Sequence, residues 1–108
     1  MNKFKNNLLK ELQFKKVKIL FDGFYLDPEI SFEKQKLFFK EDILQLEINC
    51  CLIDVGWDSE LDPNGFFKIV VIKNYDWDNP LFEKECKTIE EMKYVLFEAI
   101  DFTNEIKS

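Results

Sequence analysis

The sequence predicts an α+β fold: an antiparallel sheet of about five strands, flanked by an N-terminal and a C-terminal helix packed on one face. Three observations predict it. Apolar residues recur at helical spacing only near the two ends of the chain. Between them, short segments alternate apolar and polar residues with a period of two. The segments are joined by turns too short for parallel crossovers.

Residues 3–13 read as the first helix, with Phe4, Leu8 and Leu12 four apart, Leu9 beside them and lysines on other faces. Residues 15–26 read as a strand in which Val17, Ile19 and Phe21 alternate with Lys18, Leu20 and Asp22; Gly23 marks a bulge. Asp27-Pro28-Glu29 is a turn. Residues 30–39 read as a returning strand, and charges at 33, 34 and 36 point to an edge or a solvated face. Lys40-Glu41-Asp42 is the next turn.

The clearest strand follows. Leu44, Leu46, Ile48, Cys50 and Leu52 share one face, and Gln45, Glu47, Asn49 and Cys51 share the other. The phase then slips, since Ile53, Val55 and Trp57 become the apolar set, and a bulge at 51–53 accounts for it. Asp62-Pro63-Asn64-Gly65 is a hairpin turn. Residues 66–72, apolar on both faces except Lys68, read as a central strand. A polar loop, 74–80, and a short strand, 81–87, follow.

Thr88-x-x-Glu91 is a capping box, and it opens the last helix. Ile89, Met92, Val95, Leu96, Ala99 and Ile100 form its apolar stripe, and Glu90 and Glu91 suit the positive end of its dipole. With no repeat or linker, residues 1–108 read as one domain.

Composition narrows the function. Apolar residues make up 46% of the chain, with twelve Phe, which suffices for a core. No apolar run approaches the ~20 residues that span a membrane. Met1-Asn2-Lys3-Phe4-Lys5 does not open a signal peptide, so the expected location is the cytoplasm. The net charge of −6 opposes nucleic acid or an anionic membrane as partner and favours a basic one. The chain has no His, the commonest general base and metal ligand. It has no Arg, so all fifteen cations are Lys and bidentate guanidinium clamps cannot form. Cys50, Cys51 and Cys86 show neither a disulfide framework nor CxxC spacing and read as small strand residues. No phosphate loop or nucleophile motif is present. No catalytic residue, cofactor or metal is therefore expected.

Two acidic, aromatic segments are the candidate binding site. One holds Trp57, Asp58, Glu60 and Asp62; the other is Tyr75-Asp76-Trp77-Asp78. Aromatic anchors ringed by acids suit an interface with a basic protein. In Asp58, Glu60, Asp62 and Asn64 the alternation of a calcium loop is present, but Pro63 stands where its glycine belongs. The same acids could form an acid–base pair, although a hairpin tip offers little concavity to desolvate them.

Ile53-Asp54-Val55-Gly56-Trp57, the run from Asp62 to Ile72 and Asp76-Trp77-Asp78-Asn79-Pro80-Leu81 together resemble small immunity proteins of bacterial polymorphic toxin and contact-dependent growth inhibition systems. The resemblance spans residues 53–104. It implies a cytoplasmic antitoxin that binds a cognate toxin domain, often a nuclease with a basic cleft, as a monomer in a 1:1 complex and occludes its active site. It transfers no particular contact residue. Two other readings stand beside it. One is an assembly module that dimerises through the edge strand 30–39 or helix 3–13. The other is a small hydrolase with paired carboxylates.

Overall fold

The computed structural model describes residues 2–106 and shows the expected α+β architecture. Helix α1 (Lys3–Phe14) is capped by Asn2, whose side chain accepts from the Lys5 N–H at 3.0 Å. Five strands follow: β1 (Lys18–Asp22), β2 (Leu44–Ile48), β3 (Cys51–Asp58), β4 (Phe66–Lys73) and β5 (Phe82–Cys86). They form an antiparallel meander in chain order. Helix α2 (Ile89–Glu105) closes the described chain.

Thr88 caps α2 as its sequence requires: the Glu91 N–H donates to the Thr88 hydroxyl at 3.0 Å. The hydroxyl in turn donates to the Glu91 carboxylate at 3.1 Å. The buried α2 residues are Ile89, Met92, Leu96, Ala99, Ile100 and Thr103, and all but Thr103 join Leu8 and Leu12 of α1 in one core cluster. That cluster includes Leu44, Leu46, Ile48, Ile53, Val55, Trp57, Phe67, Ile69 and Val71. Both helices therefore cover the same sheet face. Lys93–Glu11 and Lys15–Asp101 ion pairs, at 3.0 and 3.3 Å, tie the helices to each other.

Three expectations are corrected. Residues 30–39 are not a strand. They turn repeatedly and end in a 3₁₀ turn at Lys36–Phe38. The buried Gln35 side chain decides this by closing the loop on itself. It accepts from the Asp27 N–H at 2.9 Å and donates to the carbonyls of Asp27 and Ile30 at 3.0 and 2.8 Å. With its backbone bonds made locally, the segment offers no ladder. The edges of the sheet are β1 and β5.

Residues 44–57 are two strands rather than one bulged strand. The phase slip is a two-residue turn at Asn49–Cys50, across which Ile48 pairs with Cys51. Asn49 takes φ 56°, the left-handed conformation that asparagine tolerates well. Cys50 is thus an exposed turn residue, while Cys51 and Cys86 are buried strand residues. Finally, the strand expected at 15–26 is shorter, and its irregularity lies between Ile19 and Phe21 instead of at Gly23.

Candidate binding groove

Among the described residues, no helix packs on the other face of the sheet. The pairings Asp54–Val70, Gly56–Lys68 and Val70–Glu83 put these residues on that bare face. Val70 and Ile72 are buried there even so. Around them lies a groove of about 420 Å³. The β3–β4 connection contributes Ser59 and Glu60, the β4–β5 loop Trp77 and Pro80, and the segment before β2 Glu41 and Asp42.

That last segment is stitched to β3 by backbone bonds. The Trp57 N–H donates to the Lys40 carbonyl at 2.9 Å, and the Ile43 N–H to the Val55 carbonyl at 2.8 Å. Gly56 makes the close approach possible, since a Cβ there would stand 2.0 Å from the Glu41 carbonyl oxygen. The absence of a side chain on one strand residue thus brings Glu41 and Asp42 to the groove.

Asp54 lies at its floor, only 7% exposed. Its Oδ2 accepts from the Gln45 amide at 2.7 Å. Burial pushes the carboxyl up to about 7; contact with the Asp42 carboxyl and the nearby charge of Glu41 add to the shift, against the Gln45 bond. Glu60 and Glu83 pair loosely with Lys40 and Lys68, each at 3.9 Å.

The eight candidate residues divide. Asp58, Glu60 and Trp77 line the groove, and the Trp77 indole is 51% exposed. Trp57 also borders it but is a core residue, 2% exposed, so its reading as a surface anchor is corrected. Its ring packs on Phe39 and Phe67 with centroids 4.1 and 4.7 Å away, and its N–H donates to the Asp62 carbonyl at 2.8 Å. Asp62 itself shapes its turn by accepting from the Asn64 N–H at 2.9 Å. Asp76 holds its loop by accepting from the Asn79 amide. Tyr75, on a left-handed φ of 59°, borders a separate hollow with Leu20, Leu52 and Cys50. Asp78 is exposed in the β4–β5 loop.

Glu41, Asp42, Asp54, Lys68 and Glu83 are groove residues that the sequence reading did not select. Asp54 and Gly56 were the available signals, as a carboxylate and a glycine inside an otherwise apolar strand. The acids do lie in a concavity, contrary to the expectation for a hairpin tip. Among the described residues, no three carboxylates or thiols stand close enough to hold a metal ion. The buried thiols are poor nucleophiles: burial raises Cys51, and burial with the charge of Glu91 pushes Cys86 up to about 11. No family model, curated protein or solved structure matches the chain.

Proposed function

We propose that the chain is an immunity-type inhibitor that binds the basic surface of a cognate toxin domain with the bare face of its sheet. The observation that carries this reading is the groove itself, where carboxylates from two strands and two connecting segments line a hollow shared with a half-exposed Trp77. Its only lysine, Lys68, is already paired with Glu83. A surface so unbalanced steers and orients a basic partner, and an exposed indole beside it suits an anchor. The resemblance of residues 53–104 to immunity proteins points the same way. The groove also has the outline of an acid–base site, because an acid that keeps its proton near neutrality can act as a general acid. Binding is preferred because it uses the whole acidic rim and needs no nucleophile.

The test is a titration of the purified chain against the toxin domain encoded beside it. A 1:1 complex is expected, and Asp58→Lys with Glu60→Lys should weaken it at least tenfold, about 1.4 kcal/mol, and flatten its salt dependence. Unchanged affinity and salt dependence would refute the groove as the contact surface. Turnover of a glycoside by the chain alone would favour the acid–base reading instead.

A further inference from the structure

We infer that the outer surface of the helix layer pairs with a second copy of this chain across a two-fold axis, α1 of each copy lying on α2 of the other. The inference does not rest on the groove, which lies on the opposite face of the sheet.

The two helices present opposite charges to solvent. On α1, Lys3, Asn7, Lys10 and Phe14 are exposed and recur three and four apart, on the side away from buried Leu8 and Leu12. On α2, Glu90, Tyr94, Glu98, Asp101 and Glu105 recur in the same way, on the side away from buried Met92, Leu96 and Ile100. One stripe is basic, the other acidic, and each carries one aromatic. Those aromatics, Phe14 at 89% and Tyr94 at 80%, are the most exposed large apolar side chains among the described residues.

The stripes are poorly matched within their own chain. Lys3 opens α1 and Glu105 closes α2, each at the end where the helix dipole opposes its charge. Asp101 and Glu105 stand four apart and repel each other. Among the described residues, Lys3, Lys10, Glu90 and Glu105 take part in no salt bridge. The pairs that do join the helices, Lys93–Glu11 and Lys15–Asp101, hold α1 beside α2. A two-fold axis along the seam between them lays the basic stripe of each copy on the acidic stripe of the other, twice over. Such a contact closes on itself and stops at two copies.

The area is sufficient. Each aromatic side chain removes about 150–250 Å² from water when buried. Two per copy supply roughly 600–1,000 Å² of the ~1,200 Å² at which specific interfaces begin, and the lysine stems add to it. The dimer leaves both grooves open and keeps one partner per chain.

The test is sedimentation equilibrium of the full chain across a wide concentration range, in low and high salt. A concentration-dependent dimer is expected, at least tenfold weaker in high salt. Phe14→Ser with Tyr94→Ser should weaken it at least tenfold. Lys3→Glu with Lys10→Glu gives a chain acidic on both stripes. Glu90→Lys, Glu98→Lys and Glu105→Lys together give one basic on both. Each charge variant alone should dimerise at least tenfold less tightly than the unsubstituted chain. Mixed together, they should form a dimer with one copy of each, which also shows that both variants are folded. A chain that stays monomeric up to about 1 mM in low salt overturns the inference. So does a dimer that these variants leave unchanged, or a mixture that fails to restore it.

Discussion

The two faces of the sheet are made by the same strands and obey opposite rules. On the helix side, the buried residues of β2 to β4 are Leu, Ile, Val, Phe and Trp with Cys51, in one core cluster with residues of α1 and α2. On the bare side, the intervening residues include Gln45, Glu47, Asp54, Asp58 and Lys68. The first face holds the molecule together, since each fully buried large side chain contributes roughly 1.5–3 kcal/mol. The second carries a carboxyl whose burial costs stability and which no core needs.

Three substitutions sharpen that contrast, in descending order of effect. Trp57→Ala removes the indole at the centre of the Phe39–Phe67 packing and leaves a cavity. It should lower unfolding free energy by about 3–5 kcal/mol, read by urea titration. A loss below about 1 kcal/mol would mean that Trp57 is not a core residue.

Asp54→Asn comes next and has a pH signature. The carboxyl is raised in the folded state above the ordinary value of 3.8. Its favourable contribution is therefore complete below about 3.8 and is lost as pH climbs through about 7. The asparagine variant has no such loss. Its stability relative to the unsubstituted chain should grow between pH 4 and 7, by at most about 1.4 kcal/mol per pH unit, and stay constant above. Parallel stability curves for the two proteins across that range would contradict a buried, protonated Asp54.

Trp77→Ala should be the mildest. The side chain is half exposed and outside the core cluster, so the stability change should stay within about 0.5 kcal/mol. A loss as large as that of Trp57 would erase the distinction between the faces. A small one, with weakened partner binding, would assign this tryptophan to the interface.

How much of this was legible in the sequence depends on the range of the forces involved. Helix α2 was readable because its cap, its dipole-matched acids and its apolar stripe all lie within 17 residues. Strand β4 and the Asp62–Gly65 turn were readable for the same reason. The segment 30–39 misled because Gln35, eight residues from Asp27, supplies local bonds that a strand pattern does not reveal. The slip after Ile48 was visible, but a bulge and a two-residue turn leave the same trace in alternation. Of the candidate site, the acids and Trp77 were visible as types. That Trp57 turns inward was already implied by its alternation with Ile53 and Val55, and the pairing with β4 sets all three on the core face.

The sequence by itself determined the α+β class, the two terminal helices, the acidic balance and the absence of imidazole and guanidinium, because composition and short-range periodicity carry that information. Only the tertiary structure decided which carboxylates meet. Asp42 and Asp54 are twelve positions apart, one in the segment before β2 and the other in β3. They come together because Gly56 lets the chain before β2 lie against β3, a contact between backbones that no local pattern encodes.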